Sequence, residues 1–235
     1  MSDGLAGRRV VVTGASSGIG RALALALVQR GARVVAAARS ADKLADLARA
    51  AGALLTPIVT DVGDADAVAR LAVAAGMVDA VVNNAGSGQV EPFLASDPQR
   101  WRATLDTNLI GALLVSRAFL PAMLARGAGV VVNVGSASAS GWPFLALYAA
   151  SKAALHAASL SLDREMAPHG VRVLHVEVGP TAGTGFGDHS DPAHLPAARE
   201  AWSALGIPWA VDVKLPADAA ETILAALAGG LAPAA

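Results

Sequence analysis

The chain has 235 residues and a mass of 23.4 kDa; 54% of residues are apolar, 4% aromatic and 16% charged, which fits one large folded domain and excludes intrinsic disorder. A net charge of −1 and a pI of about 6.5 argue against a nucleic-acid footprint or a polybasic membrane tether. The absence of cysteine excludes thiol catalysis, disulfide scaffolding and cysteine-ligated zinc.

In chain order, short β-branched runs at Val10–Thr13, Arg33–Ala38, Leu54–Thr60, Asp79–Asn83, Gly129–Val134 and Arg172–Val178 read as buried strands. Between and after them lie Ala-, Leu- and Arg-rich stretches with helical propensity: Ile19–Arg30, Ala41–Ala51, Ala65–Ala75, Pro98–Ala125, Tyr148–Met166 and Ala217–Ala228. Ser96-Asp97-Pro98 gives the fourth helix an N-cap followed by proline at its first position. Strands apolar on both faces, alternating with helices, imply an α/β fold: a doubly wound parallel sheet with helices on both faces. Gly183–Pro216 is the least regular stretch and reads as a lid-like insertion of a single catalytic domain spanning 1–235. The start of the chain lacks the apolar stretch of a signal peptide, and no uninterrupted apolar run reaches the ~18 residues of a membrane span. The expectation is a soluble, cytoplasmic protein with no membrane or nucleic-acid partner.

Gly14-Ala15-Ser16-Ser17-Gly18-Ile19-Gly20 lies between the first strand and the first helix. Glycine permits positive φ and close backbone approach, so this turn can aim amide groups at a phosphate on the helix N-terminus. The second strand ends in Ala38-Arg39-Ser40, about twenty residues on, where dinucleotide folds often carry an acidic residue for the ribose hydroxyls. A carboxylate would repel a 2′-phosphate, whereas a guanidinium chelates it. The expectation is NADP(H) in preference to NAD(H), with Arg39 and Ser40 as donors. The single tyrosine, Tyr148, stands four residues before Lys152 in a helical stretch, so both project from one face. A phenol with an ordinary pKa of about 10 is a poor base at neutral pH, and a nearby ammonium lowers that pKa toward acid–base use.

Thr13-Gly14-Ala15-Ser16-Ser17-Gly18-Ile19-Gly20, Asn83-Asn84-Ala85-Gly86, Asn108, a serine after the fifth strand and Tyr148-x-x-x-Lys152 together resemble the short-chain dehydrogenase/reductase family, in family order over residues 8 to about 185. The resemblance implies a Rossmann-type sheet holding a nicotinamide dinucleotide, and hydride transfer between the ring and a carbonyl or alcohol carbon. By that resemblance Tyr148 exchanges a proton with the substrate oxygen, and Lys152 lowers its pKa and bonds the nicotinamide ribose. Asn108 holds a water that links Lys152 to solvent. Asp61 and Val62 contact the adenine, while Asn83, Ala85 and Gly86 support the cofactor.

The family's substrate-orienting serine stands thirteen residues before the tyrosine; here Ser136 stands twelve before it, with Gly135 preceding. Ser136 is the candidate and Ser138 the alternative, with Ser140 a turn former. Gly179 and either Thr181 or Thr184 would hold the carboxamide, although Val178 stands where the family usually has proline. The family's seventh strand is expected to be absent or reduced, since Ala217–Ala228 runs into Gly229-Gly230 and stops. Helices 98–125 and 148–166 look intact as the family's interface helices, so a homodimer is expected, with a tetramer as the alternative.

The substrate pocket is expected between Gln89, Trp142, Phe144 and lid residues including Phe186, which suits an apolar or aromatic ketone or aldehyde. Arg199 and Lys214 are the only cations near it, and Arg199 is followed by Glu200, which speaks against an anion clamp. His189 and His194 read as lid residues, not metal ligands, so no metal is expected. The alternatives are a reductase of a C=N or C=C bond and a non-catalytic dinucleotide sensor.

Overall fold

The β-branched runs pair in parallel to form β1 (Arg9–Thr13), β2 (Arg33–Ala38), β3 (Leu55–Val59), β4 (Ala80–Asn83), β5 (Gly129–Val134) and β6 (Val171–Val176), in the order β3-β2-β1-β4-β5-β6. The computed structural model describes residues 4–188, 190–210 and 213–231, so His189 and the terminal Ala232-Pro233 lie outside the described residues. The order reverses between β1 and β4. In a sheet of this kind the ligand crevice opens at that switch, beyond the carboxyl ends of the strands.

Alternation along the strands divides the core into two layers. Val10, Val12, Val34, Val82 and Val132 face α1 (Gly18–Gln29), α2 (Ala41–Ala51) and α8 (Pro216–Leu231). Val11, Val35, Val81 and Val131 face α3 (Ala65–Ala75), α5 (Gly111–Arg126) and the end of α6 (Ala146–Met166). β3 departs from the expectation of strands buried on both faces: Thr56, Pro57 and Val59 are exposed because β3 is an edge strand. Pro57, which has no N–H, is tolerated there.

The helix expected over 98–125 is broken by a π-helical turn. α4 (Pro98–Leu105) is capped by the Asp97 carboxylate, which accepts from the Gln99 amide at 2.9 Å. Asp106–Ile110 then winds as a π turn before α5 begins. Gly111 follows it directly under Val62, whose Cγ2 would lie 2.8 Å from any added Cβ. Pro98–Arg126 is long and apolar enough, by length and composition alone, to cross a bilayer. In this fold Val115, Phe119 and Met123 from that helix pack into the sheet layer.

The 183–216 stretch is less irregular than expected. It contains α7 (Leu195–Ala204), whose buried Ala198 and Trp202 pack on Val90 and Leu145. Trp202 Nε1 donates to the Pro143 carbonyl at 2.7 Å and fastens α7 to the loop before α6. The chain returns through a bridge between Thr181 and Lys214. No seventh strand is present among the described residues. Gly229 and Gly230 continue α8 instead, and an added Cβ on Gly230 would stand 2.9 Å from Leu174 Cδ1 and 3.1 Å from Val130 Cγ1.

Candidate active site

A cavity of about 980 Å³ opens at the switch point between β1 and β4. Its floor is the glycine turn. Gly14 and Gly18 have φ of 65° and 51°, the left-handed region open to glycine at little cost. The backbone at Gly14 also presses on β4's exit, because an added Cβ would lie 2.8 Å from Ala85 Cα. Thr13 and Asn84 tie this turn to β4. Thr13 Oγ1 accepts from the Asn84 and Ala85 amides, each at 3.1 Å, and Asn84 Nδ2 donates to the Thr13 carbonyl at 2.9 Å.

Most of the residues expected at the cofactor or in catalysis line this one cavity, among them Gly14, Ser16, Ser17, Gly18, Ile19, Arg39, Ser40, Asp61, Val62, Ala85, Gly86, Gly179, Thr181 and Thr184. Three others do not. Gly20 sits behind the turn, where an added Cβ would be 2.3 Å from the Gly14 carbonyl oxygen. Asn83 is buried in the sheet, with Nδ2 within hydrogen-bond reach of the Ala112 carbonyl, Ser116 Oγ and Asn133 Oδ1 for its two hydrogens, so it binds β4 to β5 and α5 instead of facing a ligand. Asn108 also lies outside the cavity wall. Among the lining residues missed at the sequence level are Asn84 and Lys43. Lys43 stands in the first turn of α2, three residues after its N-cap Ser40. Ser40 is the N-cap of α2 but its hydroxyl makes no capping bond, which leaves it free to donate.

Tyr148 and Lys152 lie one turn apart on α6, and both reach the cavity. Lys152 is buried, and its Nζ donates to the Val134 carbonyl at 2.8 Å and stands 5.9 Å from the Tyr148 ring centroid. Burial lowers the Lys152 pKa to about 8. The phenol moves opposite to the sequence expectation. Burial raises the Tyr148 pKa, and a hydrogen bond from Ser136 offsets that only in part. The ammonium is directed at a carbonyl and does not touch the phenol oxygen, so desolvation outweighs its pull.

Ser136 is the serine whose side chain offsets part of the rise in the Tyr148 pKa, and its Oγ lies 2.9 Å from the buried Ser138 Oγ. Ser140 Oγ turns away to the Ala137 carbonyl at 2.9 Å. Gly135 has a packing cause: an added Cβ would sit 2.2 Å from His175 Nε2. Asn108, in the π turn, clamps the β4 exit loop to α6. Its Oδ1 accepts from the Ser87 amide at 2.8 Å, and Nδ2 donates to the Ser87 carbonyl at 2.8 Å and to Ser151 Oγ at 3.0 Å.

At the substrate end, Phe186 packs on the Tyr148 ring with centroids 4.6 Å apart. Gly88 lies where the two rings meet: an added Cβ there would be 2.5 Å from Phe186 Cε2 and 2.6 Å from Tyr148 Cδ2. Trp142, Trp202 and Trp209 complete an aromatic wall, with successive centroid separations of 5.7 and 6.0 Å. Gln89 and Phe144 do not belong to it. They border a shallow depression beside Phe93 and Trp101, where Gln89 Oε1 accepts from Arg100 at 3.2 Å. Phe144 has φ of 65°, and its carbonyl is held by the Glu91 amide at 2.9 Å, which sets the direction of that loop.

A model of the short chain dehydrogenase family matches residues 8–193. The chain belongs to the short-chain dehydrogenase family. L-xylulose reductase of Mus musculus is 38% identical over 175 residues, covering 74% of this chain and 71% of that protein. A solved short chain dehydrogenase/reductase family protein superposes with a TM-score of 0.82 at 33% identity, covering 97% of this chain and 91% of its own. The closed form of serine dehydrogenase complexed with NADP+ gives a TM-score of 0.78 at 29% identity, covering 92% and 87%. The protein is therefore a Rossmann-type, NAD(P)-dependent oxidoreductase acting at carbonyl or alcohol carbons. The cavity of this short-chain dehydrogenase fits a dinucleotide phosphate. The glycine turn before α1 and the cations Arg39 and Lys43 line the same cavity, a donor set whose chemistry suits the phosphates of a dinucleotide.

Proposed function

We propose that the protein reduces the carbonyl group of a small molecule with NADP(H), in preference to NAD(H), in a homodimer in the cytoplasm. The observation that carries this reading is the convergence of Ser136, Lys152 and the buried Tyr148 phenol on the one cavity that Arg39 borders. Ser136 positions the substrate oxygen and Tyr148 donates the proton as negative charge develops there. A raised phenol pKa suits an acid better than a base, which favours reduction over oxidation near neutral pH. The cofactor, when bound, supplies the hydride.

Lys152 hydrogen-bonds the nicotinamide ribose and adds positive potential beneath the phenol. Asn108 uses both amide hydrogens inside the protein, so a water it holds for proton delivery to Lys152 must donate to an oxygen of Asn108. Gly14, Ser16, Ser17, Gly18 and Ile19 cradle the pyrophosphate, and Asp61, Val62, Ala85 and Gly86 line the adenosine and ribose side. Thr181 or Thr184 bonds the carboxamide beside Gly179. The 183–216 segment acts as a lid. An added Cβ on Gly18 would lie 3.2 Å from Thr184 Cβ, so this segment already spans the glycine turn. NADP(H) over NAD(H) rests on Arg39, Lys43 and Ser40 at the end of β2, with no carboxylate at the Arg39 or Ser40 positions.

The deciding experiment is calorimetric titration with NADPH and NADH. The parent should bind NADPH more tightly, and Arg39→Ala should weaken NADPH by ~10- to 100-fold, the scale of a charge-assisted hydrogen bond, while leaving NADH nearly unchanged. An Arg39→Ala chain with undiminished NADPH affinity would overturn the preference. Tyr148→Phe should keep NADPH binding and lose about 10²- to 10⁴-fold in turnover.

A further inference from the structure

The aromatic wall beside Tyr148 contains one charge that the reduction chemistry does not use. Arg199 projects from α7 to line the cavity, with its guanidinium carbon 5.2 Å from the Trp209 ring centroid. Glu200 does not neutralise it, contrary to the sequence expectation: among the described residues Arg199 forms no ion pair. The other cations on the cavity wall are accounted for. Arg39 and Lys43 stand at the end of β2, across the cavity's length from α7, and Lys152 is bonded to Val134. Asp188 is the remaining charged group at this end, and its Oδ2 lies against its own loop, 3.2 Å from where a Gly185 Cβ would be.

A guanidinium resting on an indole face keeps its N–H edge available in one plane, and its orientation is settled before any ligand arrives. Such an edge matches the two oxygens of a carboxylate or phosphate. Arg199 is itself exposed at the mouth of the cavity, so what holds it ready for such a pairing is its seat on the Trp209 face. A cationic substrate would meet repulsion here, because the indole face that could attract it already carries Arg199.

We infer that Arg199 anchors an anionic group of the substrate, so that the protein acts on carbonyl compounds carrying a carboxylate or phosphate separated from the reacting carbon by an apolar spacer. This rests on the carbonyl-reductase reading of the cavity.

The test compares ω-oxo acids of two to four methylenes with their methyl esters, following NADPH consumption. The parent should favour the acids, and the acid-to-ester ratio of kcat/KM should fall ~10- to 100-fold in Arg199→Ala, the range expected for one lost charge-assisted hydrogen bond. Arg199→Met, which keeps an apolar stem over Trp209, should lose the same preference, and Arg199→Lys should restore part of it. Equal use of acid and ester by the parent, or an unchanged ratio in both neutral variants, would overturn the inference. Glyceraldehyde 3-phosphate against glyceraldehyde distinguishes phosphate from carboxylate as the anion. Calorimetric binding of pentanoate against pentanamide to the NADP+ complex reads the anchor without turnover. Pentanoate affinity that Arg199→Ala abolishes supports it, and no preference over the amide sinks it. Failure of every aldehyde to react while that preference persists would count against the reductase reading alone.

Discussion

Lys152 puts a charge inside the protein with one carbonyl oxygen as its hydrogen-bond partner, and this has a thermodynamic sign. Its pKa is lowered from 10.5 to about 8 by burial. Between those pH values the unfolded chain binds more protons than the folded one, so stability rises with pH from about 8 to 10.5 and the full penalty is present below 8. The shift corresponds to about 3 kcal/mol. Lys152→Met should therefore melt at a higher temperature than the parent at pH 7, with the difference closing as pH approaches 10, while turnover collapses. Part of the gain is offset by the unpaired Val134 carbonyl, at ~1 kcal/mol. Ser136 acts in the opposite direction on its neighbour, because its hydrogen bond lowers the Tyr148 pKa against the larger effect of burial. Ser136→Ala should shift the phenol's limb of the pH–rate profile to higher pH. Ser138→Ala, one hydroxyl further from the phenol, should shift it less, and the reverse order would reassign the orienting serine.

At the scale of elements, β5 and β6 meet α6 through an unusual trio. His175 stacks on His156 with ring centroids 4.3 Å apart, and its Nε2 is buried without a hydrogen-bond partner. Burial, then the His156 and Lys152 charges, lowers its pKa to about 4. By the same linkage the chain loses stability as pH falls from 6.5 to about 4, because His175 stays neutral when folded. Gly135 makes room for that ring. Gly135→Ser should cost about 1–3 kcal/mol by overpacking, read from urea denaturation, and the double variant with His175→Ala should recover most of it. A Gly135→Ser chain as stable as the parent would show that the ring is free to move. The π turn at Asp106–Ile110 had no counterpart in the sequence pattern, since the apolar rhythm runs through Leu109 and Ile110 without a proline or glycine pair to mark it. The Tyr148–Lys152 pair was legible because both residues belong to one helix, where spacing alone determines facing. Asn83 was misread for the converse reason: partners on β5 and α5, distant in sequence, satisfy its side chain inside the sheet. Gln89 and Phe144 likewise depend on where a loop is tied down, which no local periodicity reports.

For the whole molecule, the parallel sheet with helices on both faces followed from strand–helix alternation, whereas the divergent last quarter did not. The 183–216 segment reads as loop because its Pro, Gly and Asp content is high, but Trp202 supplies the buried contact that stabilises α7. The outer face of α6 carries Ala153, Ala157 and a half-exposed Leu160, and Ile110 is exposed at the end of the π turn. Small residues allow close helix approach, which favours pairing of two copies through α5 and α6. Sedimentation should give the mass of two chains. Leu160→Asp should shift it to one chain by burying a charge in that interface, with the fold intact by circular dichroism. A parent sedimenting as one chain would remove the dimer.

The placement of tryptophan gives the protein an optical property. Trp142, Trp202 and Trp209 all line the cavity, and the fourth, Trp101, stacks on Phe93 with ring centroids 5.4 Å apart, outside that wall. In a Trp101→Phe chain all indole emission would arise from the 183–216 segment and the loop it covers. Nicotinamide in its reduced form absorbs where indoles emit, so cofactor arrival and segment movement would each change the light this protein gives off, with no dye attached.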